Sequence, residues 1–255
     1  MKVVIIGSGN VATVIGRKIS VSGHEIVQVA GRNTEKVDAL ASSLKTGYTT
    51  NLTEISTLGD IYIISVSDAA ISAVASQLQL NNKLVVHTAA AVSKEVLAEA
   101  SSTYGVLYPL QTLQREVVSV PVLPILVDAN NEQVSERLVD FATTWADNVS
   151  VASDEERLKL HLAAVLVNNF TNHLFARADA FCSVNLLNFN LLRPIIEETI
   201  LRIREFPPAE IQTGPARRRD FGTIAKHQEI LQPYPEIFEL YNTLTESIIK
   251  FYSKG

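Results

Sequence analysis

Short apolar runs alternate with segments of helical periodicity through the first 150 residues of this 255-residue chain. The apolar runs have the length and β-branched content of buried strands, and they lie at residues 2–6, 24–30, 48–50, 60–66, 83–87, 105–108, 124–127 and 149–151. The helical segments lie at residues 11–21, 34–44, 68–78, 93–100 and 131–145. Because strands separated by such helices usually pair in parallel, the pattern predicts an α/β domain with a doubly wound sheet.

The pattern changes after Ala152, where strand-like runs stop. Ser153 followed by three acidic residues is typical of a helix N-terminus. Long stretches of helical periodicity follow at about 154–184, 189–205, 217–231 and 235–252. We therefore predict two domains, an α/β domain over 1–152 and an all-α domain over 153–255. Helical domains with long apolar faces often dimerise, so we expect a homodimer formed through the second domain.

The junction between the first strand and the first helix carries a Gly-x-Gly-x-x-Ala turn. A strand, such a turn and a helix in that order are typical of Rossmann-type dinucleotide-binding domains. The first glycine makes the tight turn, the second lets the backbone approach a diphosphate, and the alanine lets helix and strand pack closely. Amides at the helix N-terminus can then bind the phosphates. The predicted diphosphate-binding residues are Gly7, Ser8, Gly9, Asn10, Val11 and Ala12.

The end of the second strand indicates which dinucleotide would bind. NAD sites usually carry an acid there that accepts from the ribose 2′-hydroxyl. Here the chain continues Arg32-Asn33-Thr34 without an acid. The arginine fork suits a phosphate, and its two neighbours add donors. We therefore predict NADP as the cofactor, although Arg32 could also be an ordinary solvated arginine.

The carboxyl ends of parallel strands mark the ligand cleft of such a sheet. At these ends we expect Ser65, Val66, Ser67 and Thr88 to contact the cofactor. His87 and Gln111 are predicted to approach the nicotinamide and the substrate. The alternative for each of these residues is a purely structural role.

Polar residues interrupt an otherwise apolar helix predicted over 158–175, which we expect to be buried. Buried polar side chains need partners, so His161 and Asn169 are candidate catalytic residues and Asn168 a candidate substrate ligand. Arg219 and His227 are further substrate-binding candidates, since an arginine could bind a carboxylate or phosphate. A structural or interface role is the alternative for all five. We expect the substrate in the cleft between the two domains.

Net charge and cysteine content limit the classes of partner and the cellular location that we expect. The net charge is −5, and the sequence pI of about 5.6 argues against nucleic acid or an anionic membrane as the main partner. A single cysteine, Cys182, forms no intrachain disulfide and favours a reducing, cytoplasmic location. The start of the chain does not resemble a signal peptide, and no apolar run is long enough to span a membrane. We assign no metal site.

These motifs together resemble a known superfamily. The glycine turn is similar to that of pyrroline-5-carboxylate reductase, and Arg32 lies in a segment similar to one that binds the NADP 2′-phosphate there. Rossmann-like NADP oxidoreductases with a C-terminal helical domain of unknown function are more similar still, over nearly the whole chain. The segments that carry this resemblance are Val66-Ser67-Asp68, His87-Thr88-Ala89-Ala90, Tyr108-Pro109-Leu110-Gln111-Thr112-Leu113, His161 with Asn169, Thr213-Gly214-Pro215, Arg219-Asp220 and His227.

The chain departs from these relatives at three places. Ala89-Ala90 replaces a Ser-Gly pair, and Tyr108 replaces a histidine, which weakens an acid–base role there. Val165 stands where the related 3-hydroxyacid dehydrogenases carry a catalytic lysine, and a valine cannot donate a proton.

The missing lysine bears on the reaction. A positioned acid raises the rate of ketone reduction by about 10²- to 10⁴-fold. An iminium already carries its positive charge, so its reduction depends less on such an acid. We therefore predict hydride transfer between NADP(H) and a small imine or carbonyl substrate, with His161 as a possible acid and Asn169 as a polarising donor. Two alternatives stay open: a non-catalytic, dimeric NADP sensor, and an oxidoreductase that exchanges hydride with a deazaflavin.

Overall fold

An eight-stranded sheet organises the first part of the chain in the computed structural model, which describes residues 1–116 and 122–253. The strands are β1 (Lys2–Ile6), β2 (Glu25–Ala30), β3 (Gly47–Thr49), β4 (Ile61–Ile64), β5 (Leu84–His87), β6 (Thr103–Pro109), β7 (Pro124–Ala129) and β8 (Asn148–Val151). Their order is β3-β2-β1-β4-β5-β6-β7-β8. The chain divides into two compact units, Met1–Val167 and Asn168–Gly255, and the sheet lies in the first.

Helices cover both faces of this sheet. The helices of the first unit are α1 (Asn10–Val21), α2 (Thr34–Ser43), α3 (Asp68–Ala75), α4 (Glu132–Thr143) and α5 (Asp154–Ala164). The apolar side chains of α1, α2 and α4 pack on one face, and those of α3 and of the 3₁₀ turn Lys94–Leu97 pack on the other. The predicted doubly wound α/β fold is therefore confirmed for the N-terminal region.

One pairing in the sheet differs from the rest. Strands β1 to β6 pair in parallel, but β7 runs antiparallel to β6. For β7 to pair in parallel with β6, the chain between them would need a crossover of a dozen or more residues, usually a helix. The sequence between β6 and β7 predicted no helix, and this absence could have indicated the reversal.

The second unit consists of helices, and its character confirms the predicted all-α C-terminal region. A π-helical turn, Val165–Phe170, follows α5 and leads into α6 (Thr171–Val184). After a 3₁₀ turn, Phe189–Leu192, the helices are α7 (Arg193–Glu205), α8 (Pro215–Arg218), α9 (Phe221–Leu231) and α10 (Pro235–Phe251). The domain boundary near residue 152 stays a prediction.

Local differences from the sequence prediction have local causes. The helix predicted over 93–100 is only the 3₁₀ turn Lys94–Leu97. The helix predicted over 217–231 is broken at Arg219, which adopts a left-handed conformation with φ of 56°. Asp220 then begins a new helix, because its Oδ1 accepts from the Thr223 amide at 3.0 Å.

The expected burial of the helix over 158–175 is wrong for the single chain. Leu162, Leu166 and Phe170 are 54–59% exposed, and Val167 is 75% exposed. The sequence shows that this helix is apolar nearly all round, but it does not show what covers it. No helix among residues 1–116 and 122–253 is both long enough and apolar enough to cross a membrane.

Candidate functional site

The turn after β1 is built around Gly7. Its φ is +126°, and its amide donates to the carbonyl of Ala30 at 2.7 Å. A Cβ at this position would lie 2.0 Å from the carbonyl oxygen of Ser65, so only glycine fits the turn. Gly7 therefore brings β1, β2 and β4 together at their carboxyl ends.

Helix α1 begins at this turn with its first amides open. Gly9 occupies the N-cap position, where none of the described side chains caps the helix. The Gly9 carbonyl accepts from the Thr13 amide at 3.0 Å and from the Thr13 hydroxyl at 2.9 Å. A Cβ on Gly9 would meet no atom within 4 Å, so the surface in front of the helix is open. An uncapped helix N-terminus of this kind suits a phosphate group.

A cavity of about 1150 Å³ lies in front of the turn. It is large enough for a ligand well above the size of a single sugar or amino acid. Most of the residues predicted to bind the cofactor line it, and they are Gly7, Ser8, Gly9, Asn10, Val11, Arg32, Asn33, Ser65, Val66, Ser67 and Thr88. Ala12 is buried in α1 instead, and Thr34 is the first residue of α2; neither lines the cavity.

The end of the cavity beside β2 is positive. Arg32 lines it with an exposed side chain, and Lys36 lines it one helical turn later. Asn33 caps α2, since its Oδ1 accepts from the Lys36 amide at 2.9 Å. Among the described lining residues Asp68 is the only carboxylate. Lys36 was missed in the sequence analysis, although its position one turn after Arg32 was a usable signal.

The neighbouring strand ends add two hydroxyls. Ser65 follows β4 and Thr88 follows β5, and the Thr88 hydroxyl donates to Ser65 Oγ at 3.2 Å. Both residues are buried to more than nine-tenths and still reach the cavity lining. The structure thus brings together the strand-end residues that the sequence placed at one edge of the sheet.

A tyrosine–histidine pair lies at the end of β6. The Tyr108 hydroxyl is 3.0 Å from Nδ1 of His161 on α5, and the two rings meet edge to face. Burial, and next the charge of Asp68, raise the pKa of Tyr108. The hydroxyl therefore stays protonated near neutral pH and can donate to Nδ1 in the tautomer that carries its proton on Nε2.

Arg157 fixes the helix that carries His161. It is 1% exposed, and it donates to the carbonyls of Ala90 at 3.0 Å and Val92 at 2.7 Å. Its Nη2 also pairs with Asp154 at 2.6 Å. Residues 157 and 161 are one helical turn apart, so these bonds hold the histidine's helix against the loop after β5. Sequence reasoning missed Arg157 because its carbonyl partners are more than 60 residues away.

His87 has no exposed surface, although the sequence predicted that it contacts the substrate. Its Nδ1 accepts from the Ala89 amide at 3.2 Å, and Nε2 has no hydrogen-bond partner among the described residues. Burial, and next the charge of Arg157, lower the pKa of His87 to about 4. Direct contact with a substrate does not fit this burial; the ring is a neutral part of the sheet core.

The burial of His87 predicts a pH-dependent stability. The unfolded chain takes up the proton near pH 6.5, whereas the folded chain resists it until about pH 4. The free energy of unfolding should therefore fall by about 3 kcal/mol as the pH drops from 6.5 to 4. Urea titrations across this range measure it, and His87→Asn, whose Oδ1 can still accept from Ala89, should flatten the slope. An equal slope in both proteins would contradict the assignment.

The remaining predicted substrate-binding and catalytic residues are not among the residues that line the cavity. Gln111 is exposed, and its Nε2 donates to the Val122 carbonyl at 3.2 Å. In the second unit, Asn168 and Asn169 lie in the π-helical turn, and their side chains are exposed. Arg219 donates to Ser253 Oγ at 2.8 Å, and His227 Nδ1 is 2.9 Å from the Tyr241 hydroxyl.

Two domain families and several solved structures match this chain. Residues 2–91 match a domain family described as NADP oxidoreductase coenzyme F420-dependent, and residues 123–248 match a domain of unknown function, DUF2520. None of the curated proteins matches the chain. A putative NADP oxidoreductase from Bacteroides fragilis is 34% identical over 98% of each chain, with a TM-score of 0.90. The chain belongs to this NADP oxidoreductase-like family.

More distant structures share the fold of this NADP oxidoreductase-like protein. Pyrroline-5-carboxylate reductase from Streptococcus pyogenes is 15% identical over 98% of each chain, with a TM-score of 0.64. An imine reductase from Myxococcus stipitatus in complex with NADP+ is 12% identical over 100% of this chain and 93% of its own, with a TM-score of 0.61. The resemblance stated from the sequence motifs is thereby confirmed at the level of family and fold.

Proposed function

We propose that this protein transfers hydride between NADP(H) and a small imine or carbonyl substrate. The observation that carries the proposal is the cavity of about 1150 Å³ at the glycine turn, with its open helix N-terminus. Reduced NADP supplies the hydride when bound. The imine reductase whose fold this chain shares was solved with NADP+, which supports the same cofactor here.

The positive end of the cavity favours NADP over NAD. A 2′-phosphate carries up to two negative charges, and Arg32 and Lys36 both line the end beside β2. An NAD site would place an acid there to accept from the ribose hydroxyl. The only carboxylate among the described lining residues, Asp68, instead begins α3 after β4.

The Tyr108–His161 pair is our proposed proton source. As Nε2 of His161 passes its proton to the nitrogen or oxygen of the reduced substrate, Nδ1 takes the hydroxyl proton of Tyr108, so the imidazole stays neutral and the tyrosine becomes a tyrosinate that solvent reprotonates. This role fits a chain with Val165 at the position of the dehydrogenase lysine. An iminium substrate needs this proton less than a ketone does, because its positive charge is already present.

We also propose that Asn169 polarises the substrate and that Asn168 helps bind it. Both lie in a π-helical turn, and such turns occur frequently at functional sites. Gln111, Arg219 and His227 stay candidates for substrate binding. The hydrogen bonds of Arg219 and His227 within their own unit would have to be exchanged for that role.

A homodimer formed through the helical domain is part of the proposal. Apolar residues are also exposed on α6, on the 3₁₀ turn Phe189–Leu192 and on α7, where Val184, Leu191 and Ile195 are 65–77% exposed. Monomeric proteins rarely expose large contiguous apolar patches, so exposed apolar side chains on successive helical segments support an interface between two copies. The molar mass in solution, measured by light scattering, tests this part.

Loss of absorbance of reduced nicotinamide, measured with a panel of cyclic imines and 2-ketoacids, tests the proposed reaction. We expect turnover with at least one of these classes, and with NADPH rather than NADH. If the protein binds NADPH but consumes none with any of them, catalysis on small imines and carbonyls is wrong. A nucleotide sensor would then be the better explanation.

Variants of the Tyr108–His161 pair should lower the turnover of a ketone more than that of an iminium. His161→Gln should lower kcat about 10²-fold or more on a ketone, and less than tenfold on an iminium. Tyr108→Phe should lower kcat about tenfold and shift the pH profile of kcat/KM, because Nδ1 loses its partner. The matched control is Tyr104→Phe on the same strand, whose hydroxyl bonds Glu95 instead. Equal effects of the two tyrosine variants would contradict this role.

A deazaflavin is the second candidate substrate. The family matched by residues 2–91 is described as coenzyme F420-dependent, which favours it. Titration of the protein and NADPH with a reducible deazaflavin, followed by the loss of deazaflavin absorbance, separates the two possibilities. Turnover there without turnover of imines would support this candidate.

A further inference from the structure

Arg115 lies against the glycine turn from a distant part of the chain. It follows β6 in sequence, and its Nε donates to Asn10 Oδ1 at 3.2 Å. Asn10 is the first residue of α1, so this guanidinium lies beside the open helix N-terminus. Arg115 also lines the cavity, and its side chain is 41% exposed.

Most N–H donors of the Arg115 guanidinium have no partner among the described residues. The contacts of the side chain with Asn10 and with Glu116 Oε1, the latter at 3.4 Å, both use Nε. Among residues 1–116 and 122–253, neither Nη1 nor Nη2 of Arg115 makes a hydrogen bond. The described residues therefore leave four N–H donors of a planar fork unused at the cavity lining.

The backbone of Arg115 is fixed as well. Nη1 of Arg17, on α1, donates to the Arg115 carbonyl at 2.8 Å. Two bonds from the same helix thus hold this residue, one to its side chain and one to its backbone. A donor that is already in place loses less conformational entropy when a ligand binds.

The charges around the cavity separate into two positive regions. Arg32 and Lys36 lie at the end beside β2, where the 2′-phosphate is proposed to bind. Arg115 lies instead at Asn10, beside the α1 amides, where the diphosphate is proposed to bind. A dinucleotide diphosphate carries two negative charges, and amides alone supply only partial positive charge.

We propose that Arg115 binds the diphosphate of the dinucleotide, together with the amides at the N-terminus of α1. The inference rests on the proposed function, because it needs a dinucleotide in this cavity. It adds a residue to the site and gives that residue a distinct role. Arg115 contributes equally to NADP and NAD, while Arg32 distinguishes between them.

Calorimetric titration of the full chain with NADP+ and with NAD+ tests the proposal. Arg115→Gln should raise the Kd for both nucleotides by a similar factor, about tenfold or more, because it removes a charge-assisted donor. Arg115→Lys, which keeps the charge but not the fork, should fall between this variant and the wild type. Arg137→Gln, an exposed arginine on α4 outside the cavity, is the matched control and should change neither Kd.

The possible outcomes are distinguishable. Wild-type affinity of Arg115→Gln for both nucleotides would overturn the inference and leave the proposed function intact. Weaker binding of NADP+ alone would also overturn it, because Arg115 would then contact the 2′-phosphate. If the wild-type chain binds neither nucleotide, the proposed function fails, and this inference fails with it.

Discussion

Replacing Arg32 with glutamine is expected to raise the Kd for NADP+ about thirtyfold and to leave the Kd for NAD+ unchanged. Arg32 lines the end of the cavity beside β2, where the ribose 2′-phosphate is proposed to lie. A hydrogen bond to a charged group contributes about 2 kcal/mol, and this loss corresponds to roughly thirtyfold in affinity. Calorimetry with both nucleotides, at low and at moderate salt, measures the effect.

Lys36 supplies an internal comparison for this prediction. Lys36→Gln should act in the same direction as Arg32→Gln but less strongly, because a lysine offers a point charge rather than a planar fork. Parallel weakening of NADP+ and NAD+ by Arg32→Gln would show that Arg32 does not recognise the 2′-phosphate. The cofactor preference would then need another explanation.

The sequence predicted most of the sheet because its signals are local. The run Lys2–Ile6, the glycines after it and the periodic helix that follows define strand, turn and helix without reference to distant residues. Parallel order then follows from the helical connections. Arg32 was likewise predicted as a site residue from its position after the second strand, which the topology places beside the first.

The contacts that the sequence missed join distant segments. Arg115 contacts Asn10 across 105 residues, and Tyr108 contacts His161 across 53. No spacing rule connects such pairs, since the folded sheet alone brings them together. The substitution of a histidine by Tyr108 suggested a weaker acid–base role, but its hydrogen bond to His161 gives the tyrosine a place beside the proposed acid.

Burial was also hard to predict for particular polar residues. His87 follows a run of apolar residues at a strand end, a position that suggested substrate contact. In the structure the His87 side chain is fully buried, and this burial, together with the nearby charge of Arg157, lowers its pKa and keeps the ring neutral. Arg157 itself gave no sequence signal, although it links the helix of His161 to the loop after β5.

Gly7→Ala is expected to destabilise the fold by about 4 kcal/mol and to abolish measurable NADP+ binding. The new methyl group would lie 2.0 Å from the Ser65 carbonyl, and the φ of +126° is strained for alanine. Strain and overpacking each cost about 1–3 kcal/mol. Since a domain is stable by only about 5–15 kcal/mol, urea unfolding should show a large fall in the free energy of unfolding.

Gly9→Ala is the matched control, two residues away in the same turn. A Cβ on Gly9 would meet no atom within 4 Å, and its φ of −81° suits any residue, so stability should stay within about 1 kcal/mol of the wild type. The same methyl group projects into the space in front of α1, and we therefore expect weaker binding of both NADP+ and NAD+. Together the two variants separate the glycine that the turn requires from the glycine that the ligand requires. Equal stability of the two variants would contradict the role assigned to Gly7, and unchanged nucleotide affinity of Gly9→Ala would place the diphosphate elsewhere.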